Sequence, residues 1–175
     1  MTVKNMRRDY ILRFLCITSV VASVAVVLSL PLHRMSELEY ILLLPSALSV
    51  MVLHELVHFA VIRFLGRWAK ITTLLRRGAL MVEYDVLTAK EYTYVSLSPI
   101  VFIQLPLSVL YVATSSVSVL VIAVLHAMGS IADVFYVIKV ALTCRKCTLR
   151  LYRENGKVKG YAIVKPNGEE TVYLI

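Results

Sequence analysis

Apolar residues of this chain gather into four long stretches, and polar residues mark the connections between them. The stretches run over about 14–32, 40–62, 94–113 and 117–138. Each is close to the ~20 residues that a helix needs to cross a hydrocarbon layer of ~30 Å. The pattern therefore predicts an all-α polytopic membrane protein with four transmembrane helices.

The first stretch also has features of a cleavable signal peptide. Basic residues precede it, and Ser23-Val24-Ala25 fits a small-residue cleavage site. The apolar run nevertheless continues through Val26–Leu30, which is long for the hydrophobic region of a signal peptide. We expect this helix to be retained as a span.

Two polar regions have the composition of β-strands. Residues 69–86 fit a β-hairpin with its turn at Arg77-Gly78. Beyond residue 146 the turn motifs Asn155-Gly156 and Pro166-Asn167-Gly168 separate three alternating segments, which predicts a small meander. We therefore expect residues 1–142 to form the membrane core, including the hairpin, and residues 143–175 to form a β-rich tail.

Composition and charge support a membrane location. Apolar residues make up 59% of the 175 residues, against roughly 45–50% in soluble domains. The net charge of +8 comes from basic clusters at the N-terminus, in the middle linker and after the last apolar stretch. The positive-inside rule then predicts a multi-pass membrane protein with both termini and the middle linker cytoplasmic. Topology and anionic lipids explain this charge better than nucleic acid does.

Three cysteines do not suggest a disulfide scaffold. Cys16 lies in the first stretch, where a small buried apolar residue is expected. Cys144 and Cys147 form a Cys-x-x-Cys pair, which is half of a zinc site, and the sequence has no second pair. Palmitoylation or an ordinary thiol pair is favoured over redox catalysis.

His54-Glu55-Leu56-Val57-His58 carries the chemistry that the chain suggests most strongly. On a helix, His54 and His58 share one face and can bind one Zn²⁺, and Glu55 is placed to act as a base. The motif lies inside an apolar stretch, where ionisable groups are costly and are rarely kept without a function.

Asp133 is the candidate for a third ligand. His58 precedes Arg63 by about 7.5 Å of helix, and Asp133 precedes Lys139 by about 9 Å, so the two residues lie at a similar depth. His126, two turns before Asp133, is predicted to support the metal site from outside or to contact substrate. A buried Asp–His hydrogen bond that only fixes helix packing is the alternative.

These motifs resemble the site-2-type intramembrane zinc metalloproteases, and more closely the small predicted membrane zincin peptidases of bacteria and archaea. The likeness rests on residues 53–60, on Ser96-Leu97-Ser98-Pro99 and on residues 126–133. Site-2 proteases have Asn-x-x-Pro before Leu-Asp-Gly, whereas His126 and Gly129 stand at roughly the Asn and Pro places and Val134 follows the aspartate. Positioning of substrate by an asparagine therefore does not carry over.

The resemblance implies a zinc metalloendopeptidase that hydrolyses peptide bonds of membrane proteins or membrane-associated peptides. Glu55 would assist the attack of zinc-bound water. The predicted hairpin would offer an edge strand to an unwound substrate. A non-proteolytic membrane protein with a structural metal site or a scaffold role is the competing class, and two histidines with one carboxylate also accept Fe²⁺ or Co²⁺.

Overall fold

A helical bundle with a β-sheet at one end makes up the fold of this protein. The computed structural model describes residues 4–8, 10–74, 79–154 and 157–174. Over these residues the helices are α1 (Tyr10–Ser29), α2 (Glu37–Phe64), α3 (Ala89–Pro99), α4 (Leu105–Thr114), α5 (Val117–Gly129) and α6 (Ile131–Thr143). A 3₁₀ turn at Leu32–Arg34 precedes α2, and a π turn at Ile100–Gln104 joins α3 to α4.

Polar side chains determine where the helices that carry the site begin. Ser36 caps α2 in a reciprocal box with Glu39, and Thr88 caps α3 in the same way with Glu91. Such a box satisfies N–H groups that the first turn of a helix leaves unpaired. Helix α3, the π turn and α4 follow one another as one rod, and α5 continues into α6 through Ser130.

The strands form two sheets. The larger contains β1 (Lys4–Arg8), β4 (Val86–Thr88), β5 (Thr148–Glu154), β6 (Lys157–Val164) and β7 (Glu170–Leu174) in the order β1-β7-β6-β5-β4. Strand β1 runs parallel to β7, and the other pairs are antiparallel. Strands β2 (Ala69–Leu74) and β3 (Ala79–Tyr84) pair antiparallel at the position of the predicted hairpin. The predicted turns at Arg77-Gly78 and Asn155-Gly156 include residues outside those described.

The larger sheet brings together three distant parts of the chain. It contains a strand that precedes α1, a strand that precedes α3, and the three strands that follow α6. The N-terminal strand, the middle linker and the tail therefore lie at the same end of the helical bundle.

The predicted all-α fold with four transmembrane helices is wrong. Two β-sheets accompany the helices. Among the described residues, three helices are long and apolar enough to cross a membrane, namely Glu37–Phe64, Ala89–Thr114 and Val117–Thr143. The described apolar part of the first helix, Ile17–Ser29, is shorter than a span requires. Counting apolar stretches missed β1 because that strand is short and basic, and its pairing partner lies at the other end of the chain.

A buried cluster joins the tail to the helices. Tyr161 and Tyr173 stack on one another, and Tyr136 of α6 meets the ring of Tyr161 edge-on. The Lys139 ammonium lies 3.7 Å from the centre of the Tyr173 ring. A disulfide links Cys144 at the end of α6 to Cys147 before β5, so this pair is not the free thiol pair or palmitoylation site favoured above. This packing provides the support that a small meander needs.

Candidate metal centre

Helix α2 presents His54 and His58 one turn apart on the same face. The two rings meet edge-on with centroids 4.7 Å apart, and their Nε2 atoms are separated by 3.1 Å. Their side chains are only 13% and 10% exposed. A four-residue spacing aligns side chains on a helix, so the local sequence is sufficient to bring these two imidazoles together.

Asp133 in the first turn of α6 completes a group of three. Its Oδ2 atom lies 3.1 Å from His54 Nε2 and 3.6 Å from His58 Nε2. Ligand atoms that surround a tetrahedral Zn²⁺ at 2.0–2.1 Å lie about 3.3–3.4 Å from one another. The observed separations bracket that value, so the three side chains fit a zinc ion.

A hydrogen bond of His58 Nδ1 explains why Nε2 of the same ring is free to bind a metal ion. His58 Nδ1–H donates to the carbonyl oxygen of Val95 at 2.9 Å, which leaves Nε2 of the neutral ring with a lone pair. The Val95 carbonyl is available because Pro99, four residues later in α3, has no N–H to offer it. Ser98 donates to the same carbonyl at 2.6 Å.

A second polar contact lies behind His54. Its Nδ1 atom is 3.2 Å from His126 Nε2, and His126 Nδ1 is 2.9 Å from the Oε1 atom of Gln104. His126 is buried in α5, and Gln104 is the last residue of the π turn. His126 therefore contacts a candidate ligand without joining the three atoms that face one another.

Glu55 lies beside the three candidate ligands, at one end of a cavity. The cavity has a volume of about 290 Å³ and is bordered at that end by His54, Glu55 and His126. Its remaining wall consists of apolar residues and one glycine from α2 and α5, namely Ala47, Val50, Met51, Ile122, Leu125 and Gly129. The backbone of Val82 in β3 lies near the Glu55 carboxylate. An apolar cavity with a few convergent polar groups is the usual form of a substrate site.

The structure brings all five candidate residues of the sequence into one region. His54, His58 and Asp133 form the group that can hold a metal ion. Their roles as ligands, and that of Glu55 as a base, stay predictions. Neither Val95 nor Gln104 was among the site residues that the sequence predicted. Pro99 is the feature that points to Val95, since a proline frees the carbonyl four residues before it.

Comparison with known proteins identifies a family. A family model described as "Putative zincin peptidase" matches residues 47–149, which is more than half of the chain and includes every candidate site residue. No curated protein and no solved structure matches the chain.

Proposed function

Because the chain belongs to the family described as putative zincin peptidase, we propose that it is a membrane-bound zinc metallopeptidase that hydrolyses peptide bonds of membrane-associated substrates. The observation that carries the proposal is the convergence of His54, His58 and Asp133 at separations that suit zinc, with Glu55 beside them. A hydrolase of this type needs a metal site and a base on the same side of the substrate.

His54, His58 and Asp133 would hold the metal. When bound, Zn²⁺ acts as a Lewis acid that polarises the carbonyl of the scissile peptide bond. The surrounding protein keeps the ligands in place, since His58 is fixed by the Val95 carbonyl and both imidazoles are largely buried. Ligands that are already oriented lower the cost of forming the site.

Glu55 would move the proton. Its carboxylate accepts a proton from the water molecule whose oxygen attacks the peptide carbon, and then gives that proton to the departing nitrogen as the C–N bond breaks. The products are a carboxylate and an amine, and Glu55 returns to its starting state.

The substrate is proposed to be an unwound peptide segment from a membrane protein or a membrane-associated peptide. Two features support this. The cavity between α2 and α5 offers apolar walls next to Glu55. Strand β3 packs against α2, the helix that carries Glu55, and β2 is its only strand partner among the described residues, which gives β3 an edge near the site. An extended peptide can add to such an edge through main-chain hydrogen bonds.

The three long apolar helices are proposed to cross the membrane, with the middle linker and the residues after α6 on the cytoplasmic side. The middle linker and the residues after α6 are basic, and these segments lie at the sheet end of the bundle. The positive-inside rule places such segments in the cytoplasm. The tail, residues 143–175, would then be cytoplasmic, and the metal centre would lie within the membrane near that face.

Cleavage by the Glu55→Gln variant tests the proposal. Parent and variant would be loaded with zinc in detergent micelles and given a library of quenched fluorescent peptides rich in apolar residues. We expect the variant to keep its zinc and to lose cleavage by at least ~100-fold, which is within the usual contribution of a general base. Glu154→Gln, an exposed change on β5, is the matched control and keeps parent activity.

The same experiment distinguishes the proposed peptidase from the competing class, a non-proteolytic membrane protein with a structural metal site. A non-proteolytic protein with a structural metal would bind zinc in parent and variant alike and cleave none of the peptides. Equal cleavage by parent and variant would show that Glu55 is not the base.

A further inference from the structure

A chain of three polar side chains runs outward from the metal centre. It begins at Nδ1 of His54, continues through both nitrogens of His126 and ends at Gln104 Oε1, with separations of 3.2 and 2.9 Å. The three residues come from α2, α5 and the π turn, so no single element could hold them together.

The acceptor at the end of this chain determines the protonation of every nitrogen in it. Gln104 Oε1 accepts a hydrogen bond, so His126 Nδ1 carries the proton and His126 Nε2 is an acceptor. His54 Nδ1–H must then donate to His126, which leaves the lone pair of His54 Nε2 directed at Asp133. That nitrogen is the one the metal requires.

The π turn is what brings Gln104 to this position. It occupies Ile100–Gln104, between Pro99 and Pro106, and places an additional residue in a rod that is otherwise α-helical. Each added residue rotates the following side chains by about 100° around a helix axis, so the turn decides which residue of the rod meets His126. Single π turns of this kind occur frequently at functional sites.

We infer that Gln104 and His126 are positioning residues that fix the orientation and the tautomer of His54 for zinc binding. The inference rests on the proposed metallopeptidase function. The two histidine ligands then differ in their outer partners, since His58 donates to a backbone carbonyl and His54 to a side-chain relay. Loss of a residue that hydrogen-bonds a metal ligand typically weakens metal binding about 10–100-fold.

Zinc affinity, measured by competition with a chromogenic chelator in detergent, tests the relay without reference to peptide cleavage. Gln104→Leu and His126→Phe remove a polar group from the chain, and we expect each to weaken zinc binding about 10–100-fold. Gln104→Glu keeps an acceptor oxygen at the same place and should retain the parent affinity. Val112→Ala, an exposed change further along the rod in α4, is the control and should leave the affinity unchanged.

Thermal unfolding of the metal-free proteins distinguishes positioning from packing. Positioning predicts weaker zinc binding at an unchanged metal-free Tm. A lower metal-free Tm with parent zinc affinity would overturn the inference, because the relay would then only hold helices together. Failure of Gln104→Glu to retain affinity would overturn the assigned tautomers. A parent that binds zinc and cleaves nothing would refute the proposed peptidase and leave the measured effect of the relay intact, whereas a parent that binds no zinc would refute both.

Discussion

His54 Nε2 lies 3.1 Å from Asp133 Oδ2, although 79 positions separate the two residues in the sequence. The contact joins α2 to the first turn of α6, and His58 Nε2 lies 3.6 Å from the same oxygen. These atoms are as close as ligands of one zinc ion. They are held by α2 and by the continuous α5–α6 rod, each of which has the length and composition of a membrane span.

Loss of the carboxylate ligand should abolish stable zinc binding. In Asp133→Asn a neutral amide replaces the anionic carboxylate. We expect the zinc dissociation constant to rise by more than ~100-fold, because loss of a residue that only hydrogen-bonds a ligand already weakens metal binding about 10–100-fold. Asp85→Asn, in an exposed bend after β3, is the matched control. Equal zinc affinity in both variants would remove Asp133 from the site.

Metal removal should stop cleavage reversibly. Dialysis against a strong chelator is expected to eliminate hydrolysis of the responsive peptides, and added Zn²⁺ or Co²⁺ should restore it, because a site of two histidines and one carboxylate accepts either ion. Initial rates before chelation, after chelation and after metal addition provide the measurement. Undiminished cleavage in the metal-free protein would contradict a metal-dependent mechanism.

Filling the cavity should impair substrate binding and leave the metal in place. A Cβ built at Gly129 meets no atom within 4 Å, so Gly129→Leu can extend into the space beside Glu55. We expect kcat/KM to fall about 10-fold or more, as occurs when a pocket loses room for a few carbon atoms. Ala113→Leu on the exposed end of α4 is the control. Unchanged kcat/KM in Gly129→Leu would show that substrate does not use this cavity.

The sheet should be sensitive to one added methyl group at Gly160. A Cβ there would collide with the Tyr173 carbonyl on the neighbouring strand β7. We expect Gly160→Ala to lower the free energy of unfolding by about 1–3 kcal/mol, the usual cost of overpacking. Gly129→Ala enters open space in helix α5 and should raise it by about 0.4–1 kcal/mol, because alanine loses less backbone entropy on folding than glycine. Denaturant unfolding in detergent compares the two, and equal stability would mean that β6 and β7 do not approach as closely as described.

Local periodicity accounts for what the sequence predicted about the site. A four-residue spacing aligns His54 with His58 on one face of a helix. Similar distances from the basic ends of their helices predicted that His58 and Asp133 lie at a similar depth. The position of Gln104 depends on a π turn, which changes the register of a helix without an obvious mark in the sequence. Its contact with His126 could therefore not be derived from residue spacing.

The sequence predicted the fold less well than the site, because the larger sheet is assembled from distant segments of the chain. The hydrophobic pattern identified the apolar helices, and turn residues indicated strands in the linker and the tail. Pairing of β1 with β7 joins residues near opposite ends of the chain, and β4 has only three residues. Neither strand has enough alternating residues to be recognised alone. The all-α prediction failed at these two strands.

The central claim is that His54, His58 and Asp133 form one zinc site. An anomalous difference map, recorded at the zinc absorption edge from crystals of the zinc-loaded protein, tests it most directly. We expect one strong peak about 2.0–2.2 Å from His54 Nε2, His58 Nε2 and a carboxylate oxygen of Asp133. A map without a peak between these three side chains, or with zinc held by other residues, would contradict the claim.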